Sequence, residues 1–232
     1  EGLSPTRKAY DLDTAFEANI EGAGPTVAVL CEYDALPDIG HACGHNIIAT
    51  AGLGAGLAAA TVAKKMGGSL RILGTPAEEG GGGKVFMGDR GAFESVDAAL
   101  MVHPASGDLV RMNTIAIHRL QVEYEGQAAH AAASPHRGKN ALDAAVLGYQ
   151  NVAALRQHIR PDERIHGIFT DGGRKPNIVP EYSSMEWYVR SKNMRTLEPL
   201  KKRVLSCLEA GAMASSCTMS HSWIDPYYAD MV

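Results

Sequence analysis

The sequence predicts an α/β chain: a doubly wound unit over residues 1–114, followed by an α+β unit of ferredoxin-like plan over residues 115–228. Three observations carry that expectation. Apolar runs of strand length alternate with helix-like stretches in the first half of the 232 residues. The hydrophobic period changes to two at Ile115, Ile117, Leu120, Val122 and Tyr124. From there the elements read β-α-β-β-α-β, the order of the ferredoxin-like plan.

Residues 26–31 are short, apolar and β-branched and follow the breakers Gly22, Gly24 and Pro25, as a buried parallel strand does. Residues 47–66 are rich in Ala and Gly and contain Lys64 and Lys65 near their end, which suits a helix packed on a sheet better than a membrane span. Strands are expected at 69–74 and 97–102, with a short helix at 85–91 between them. In the second unit helices are expected at 140–158 and 197–215. Strands are expected near 164–170, at 182–191 and from Thr218. Composition limits the function classes. Hydrophobic residues make up 45% of the chain, enough for a real core. A net charge of -4 and a pI near 6.1 give nucleic acid no purchase, and no membrane partner is indicated. Cys31, Cys43, Cys207 and Cys217 form no disulfide framework, so a reducing, cytoplasmic setting is expected. No secretory signal opens the chain at Glu1.

Chemistry concentrates behind three of the expected strands. The first is followed by Cys31-Glu32-Tyr33-Asp34-Ala35-Leu36-Pro37 and then His41-Ala42-Cys43-Gly44-His45. The second is followed by Thr75-Pro76-Ala77-Glu78-Glu79-Gly80, and the third ends at His103. Open α/β sheets gather ligands at the carboxyl ends of their strands, so Cys, His and Glu side chains should meet there. Thiolate and imidazole are the donors a zinc-type ion takes, and carboxylates add charge. Taken singly, a buried Cys is more often a core residue, and a lone His a hydrogen-bonded structural one. The run Gly80-Gly81-Gly82-Gly83-Lys84 is not a phosphate loop, because Val85 stands where Ser or Thr is needed and Glu78 where the first Gly is needed. Those glycines instead let backbone and substrate approach a metal closely.

The segments CEYDALPDIGHACGHN, GTPAEEGGGGK, MVHP, GQAAHAAASPHRGKNALDA and KPNIVPEYSSMEWYVRS together resemble the aminoacylase and glutamate carboxypeptidase family of co-catalytic zinc hydrolases. Within it they are most similar to the Xaa-Arg, or β-alanyl-lysine, dipeptidase and amidohydrolase branch. The resemblance implies a zinc-peptidase catalytic domain, incomplete here, into which a lid and dimerisation domain is inserted. Residues 229–232 would begin the return to the catalytic domain, and the last metal-binding His would lie beyond them. His221, in the lid's final strand, is not given that role.

By the same resemblance Cys43, His45, Glu79 and His103 bind two divalent metal ions, zinc before manganese or cobalt. Asp34 orients His45, and Glu78 is the general base that moves a proton from an activated water to the leaving amine. Glu32 and His41 stand as either ligands or hydrogen-bonding neighbours. Were the backbone at Glu78 and Glu79 extended, the two carboxylates would point apart and divide these tasks. In the lid, His130 would reach a partner subunit's oxyanion within a homodimer, while Asn177 and Arg190 would hold the substrate carboxylate. The implied substrate is a small dipeptide or N-acyl amino acid. Two other classes fit the residues: a cysteine hydrolase with Cys43 as nucleophile and His45 as base, and a non-catalytic metal-binding or dimerisation fragment.

Overall fold

The computed structural model describes residues 3–110 and 114–230, and the chain divides into one compact unit that ends at Val110 and a second that follows it.

The first unit is built on a five-stranded sheet in the order β1-β2-β4-β3-β5. Its strands are β1 (Thr6–Arg7), β2 (Phe16–Ile20), β3 (Thr26–Glu32), β4 (Ser69–Thr75) and β5 (Ala98–Leu100). β3 runs parallel to both β4 and β5, whereas β2 is antiparallel to β4 and β1 to β2. The sheet is therefore mixed: the parallel strands β4, β3 and β5 carry at one edge an antiparallel pair ahead of Thr26, as doubly wound sheets often do, and that pair is absent from the strands expected above. Helix α1 (His45–Ala63) lies on one face, above a core of Ala18, Val29, Cys31, Leu70 and Ile72. Its contact residues are small: a Cβ at Gly52 would come within 2.7 Å of the Leu30 carbonyl oxygen, and one at Gly56 within 2.6 Å of Ile72. Glycine lets the helix ride directly on the strands. By length and composition alone α1 would also pass as a membrane span, and 17% of its apolar stretch is buried, Ile48, Gly52 and Gly56 among its buried residues. A single irregular turn, α2 (Glu78–Gly81), leads into α3 (Gly83–Asp89). Met87 of α3 packs with Ala28 and Leu73. Those two alternate in sequence with the residues under α1, so α3 covers the opposite face.

Element boundaries shift by a few residues from expectation. α1 starts at His45 rather than Ile47, since Gly44 adopts a left-handed conformation (φ 85°) and opens the helix at once. β5 stops at Leu100, short of Val102.

The second unit carries the sheet β7-β8-β6-β9, with β6 (Ala116–Glu125), β7 (Arg164–Asp171), β8 (Tyr182–Ser191) and β9 (Thr218–Tyr228) all antiparallel to their neighbours. With α4 (Ala141–Arg156) between β6 and β7, and α5 (Met194–Ala214) between β8 and β9, this is the ferredoxin-like order. Asn140 caps α4 by accepting from the N–H groups of Leu142 and Asp143, and Asn193 with Thr196 forms a capping box on α5. Each cap contributes about 1 kcal/mol. That box starts α5 three residues earlier than expected. Leu120, Val122, Tyr124, Met185, Trp187 and Val189 of the sheet close on Leu197, Leu200, Val204 and Leu208 of α5. Fully burying one such aliphatic side chain stabilises by roughly 1.5–3 kcal/mol. The buried face of β6 is Ala116, His118, Leu120, Val122 and Tyr124, so Ile117 faces the other way and His118 takes the inward position. His221 lies in β9 opposite Val122. Of the expected return segment at 229–232, Met231 and Val232 lie outside the described residues. All four cysteines are free thiols.

Candidate metal centre and active site

Three strand ends of the first unit deliver the chemistry. β3 ends in Glu32 and continues through Asp34 to a loop closed by hydrogen bonds between Leu36 and Gly40. The chain then turns at Gly44, where a Cβ would strike the Pro104 ring at 2.5 Å. That close approach brings His103, the neighbour of Pro104, beside Cys43, with Nε2 at 3.6 Å from Sγ. His103 Nδ1 lies 2.8 Å from the Pro104 carbonyl oxygen and donates to it, which turns its Nε2 lone pair toward Cys43. After β4, left-handed Ala77 (φ 57°) and Gly80 (φ 85°) fold Glu78 and Glu79 into a compact turn. The backbone there is not extended, and the two carboxylates converge instead of pointing apart.

They converge on His45, the first residue of α1, which is 0% exposed. Its Nδ1 lies 3.2 Å from Asp34 Oδ1. A carboxylate only accepts, so Nδ1 carries the hydrogen and the neutral ring presents a lone pair at Nε2. Asp34 Oδ2 meanwhile accepts the Glu79 backbone N–H at 2.9 Å, tying the imidazole to the acidic turn. Burial pushes the Asp34 carboxyl up, but the N–H groups of Glu79 and Glu78 and the His45 contact outweigh it and hold it below the ordinary value. It is therefore ionised at neutral pH.

Among the described residues His45 Nε2 is buried and has no hydrogen-bond partner, and neither has Glu79 Oε1. Glu32 Oε2, Glu78 Oε2 and Glu79 Oε1 each stand 3.6 Å from that nitrogen. A lone pair facing three carboxylate oxygens at a distance too long for hydrogen bonds is unfavourable without a cation between them. Ligands on one tetrahedral ion with bonds of about 2.1 Å are separated by about 3.4 Å, close to what is seen. Two overlapping donor sets emerge: Cys43, His45 and His103, and Glu32, His45 and Glu78, each with its ligand atoms within 4.8 Å of one another. Thiolate, imidazole and carboxylate together suit a zinc-type ion, so the residues present fit the metal the sequence implies.

Burial raises the Glu78 carboxyl, aided by the charges of Glu32 and Glu79 and opposed by Lys84 and His45; the net effect favours proton uptake. Desolvation, then Glu79, Glu78 and Glu32, push the Cys43 thiol up to about 11. Such a thiol is not a nucleophile at neutral pH, and its near partner is His103 rather than His45, which counts against a cysteine hydrolase.

Asp34, Cys43, His45, Glu78, Glu79 and His103 thus gather within the first unit. His41 is exposed and belongs to neither donor set. Two groups matter more than the sequence suggests: Glu32, only 2% exposed, and Lys84, which pairs with it. The pair joins residues 52 apart in sequence, so no local motif points to it.

The other three site residues belong to the second unit. His130 is exposed, and its Nδ1 accepts the N–H groups of Ala132 (3.2 Å) and Ala133 (3.1 Å). That fixes the hydrogen of the neutral ring on Nε2 and leaves an outward donor. Asn177 lies beside this segment, its carbonyl accepting the Ala131 N–H at 3.1 Å. Arg190, on β8, lies over the Tyr188 ring at 5.7 Å, and its Nε is buried without a partner. Among the described residues no carboxylate pairs with its guanidinium.

Comparison with known proteins adds three findings. The profile described as Peptidase family M20/M25/M40 matches residues 12–204. Among curated relatives, the chain is 47% identical over 221 residues to a mouse Xaa-Arg dipeptidase, covering 90% of this chain and 51% of the relative. It is 34% identical over 239 residues to a p-aminobenzoyl-glutamate hydrolase polypeptide from Escherichia coli, covering 94% and 50%. The chain thus spans about half the length of the curated relatives it matches. Among solved structures, a dinuclear metal-binding peptidase from Bacillus subtilis superposes with a TM-score of 0.71 at 20% identity, over 99% of this chain and 65% of that one.

Proposed function

Because the chain belongs to peptidase family M20/M25/M40, we propose that it is the metal-binding part of a hydrolase that cleaves the amide bond of dipeptides or N-acyl amino acids. Its likeness to Xaa-Arg dipeptidases makes a basic C-terminal residue the preferred leaving group. The observation that carries the proposal is the buried His45 Nε2, unpartnered and surrounded by three carboxylate oxygens.

When bound, two divalent ions, zinc in this reading, would polarise the scissile carbonyl and lower the pKa of a water. Cys43, His45, Glu79 and His103 would hold them. Asp34 keeps the hydrogen of His45 on Nδ1 and so keeps Nε2 free to ligate. Glu78, with its raised affinity for protons, takes one from the attacking water and passes it to the departing nitrogen. His130 donates from Nε2 to the oxygen that becomes negative as the carbonyl turns tetrahedral. Arg190 pairs with the substrate carboxylate through its planar fork and Asn177 assists. A homodimer in which the second unit brings His130 to a partner's centre completes the proposal.

Elemental analysis of the purified chain, beside Cys43→Ala and His45→Ala, tests the centre, with hydrolysis of β-alanyl-lysine and N-acetyl amino acids followed in parallel. The proposal expects bound zinc in the wild type and its loss in both variants. Turnover that survives complete metal removal would overturn it.

A further inference from the structure

Glu32 is a buried carboxylate that the reaction described above does not use, and Lys84 is the one lysine beside it among the described residues. How Lys84 arrives there is written in the glycines before it. Gly82 is left-handed (φ 66°), and a Cβ on Gly83 would lie 1.8 Å from the Pro76 carbonyl oxygen, so only glycine lets α3 start against the end of β4. Lys84, in the first turn of that helix, then points its ammonium at Glu32 Oε1.

The two oxygens of Glu32 have different duties. Oε1 is taken by Lys84, while Oε2 stands 3.6 Å from His45 Nε2, level with the oxygens of Glu78 and Glu79. The fully buried and unpartnered Nε2 is what marks this as a ligand position rather than a mere acidic cluster. A carboxylate with one oxygen anchored by a cation cannot rotate away, and its free oxygen is presented in a single direction. We propose that Lys84 is a positioning residue of the metal centre, holding Glu32 by one oxygen so that the other ligates the ion bound by His45 Nε2. This rests on the metallohydrolase reading above, and adds to it a carboxylate ligand and the residue that aims it.

The test is cation affinity, read on the whole chain by chelator competition with Zn2+ and by the visible absorption bands of bound Co2+. Lys84→Met should weaken binding by about 10- to 100-fold, the usual effect of removing a group that orients a ligand, and should alter the Co2+ bands. Lys84→Arg, which keeps the charge and the hydrogen bond, should restore most of both. Glu32→Gln should weaken binding as Lys84→Met does, and the double substitution should be no worse than either alone. The double variant leaves no unpaired buried charge, so it covers the case in which a single variant fails to fold. Wild-type affinity and spectrum in Lys84→Met or in the double variant would overturn the inference, as would tighter binding in Lys84→Met, which would make Lys84 a repelling charge. A wild-type chain that takes up no cation would sink the metallohydrolase reading itself.

Discussion

At the scale of single residues, Asp34 is the hinge of the centre because it serves two donors with its two oxygens, His45 Nδ1 and the Glu79 N–H. Asn in its place offers one acceptor oxygen and one NH2 group, so one of the two donors must lose its partner. We expect Asp34→Asn to weaken zinc binding by about 10- to 100-fold in a chelator competition while leaving the helix content unchanged; unaltered affinity would count against its orienting role. His118 poses a different question. It is 6% exposed, both ring nitrogens lack hydrogen bonds among the described residues, and the ring lies 4.9 Å from that of Trp223 and 5.5 Å from that of Tyr227, with Asp225 Oδ1 at 3.6 Å. Burial first, then Lys201, lower its pKa below the ordinary 6.5 against the opposing pull of Asp225 and Glu198. The unfolded chain therefore takes up this proton at a higher pH than the folded one, and stability falls as the pH drops through 6.5 toward the folded value. His118→Leu should flatten that acid-side loss in urea unfolding curves taken at pH 7.5 and 5.5. An unchanged difference between the two curves would exclude His118 as its source.

At the scale of elements, α1 links the sheet to the centre, since the helix that packs on β3 and β4 also begins with His45. A Cβ at Gly52 would meet the Leu30 carbonyl oxygen at 2.7 Å and Cys31 Sγ at 2.9 Å, whereas at Gly54 it would meet nothing within 4 Å. Gly52→Ala should thus destabilise by about 1–3 kcal/mol through overpacking and weaken metal binding as His45 is displaced. Gly54→Ala should stabilise by up to about 1 kcal/mol through helix propensity alone. Equal effects of the two on the thermal midpoint would contradict the close packing. What was legible beforehand follows from the same local rules. β3 and β4 announce themselves as apolar runs bounded by glycine and proline, and Cys43, His45, Glu79 and His103 follow strands. β2 does not: Phe16-Glu17-Ala18-Asn19-Ile20 alternates, but over five residues with two polar ones, too short a pattern to stand out. His118 escaped because Ile115 and Ile117 suggested the opposite phase for β6, and the phase is set by α4 and α5, which cover the face of Leu120, Val122 and Tyr124. Lys84 escaped because a charge pair between distant segments leaves no trace in either one.

At the scale of the whole chain, both donor sets lie before Val110, while the second unit has its own core of sheet and two helices. A ligand stabilises only the unit that binds it, by about 2.7 kcal/mol at a concentration one hundred times the dissociation constant. Calorimetry should accordingly resolve two transitions, of which saturating zinc raises one and a chelator lowers the same one. A parallel shift of both would argue that the units unfold together. The sheet of the first unit has a further consequence. Among the described residues β5 is its last strand and pairs with β3 alone, and Leu100 at its end and Val102 two residues beyond are 61% and 72% exposed. An open, uncharged edge of this kind is a template onto which any extended chain can add. On heating or at high concentration the protein should therefore assemble edge to edge into β-rich aggregates, and a single lysine at Leu100 should delay their appearance in light scattering. The strand that leads to His103 would then also decide how long the protein stays in solution.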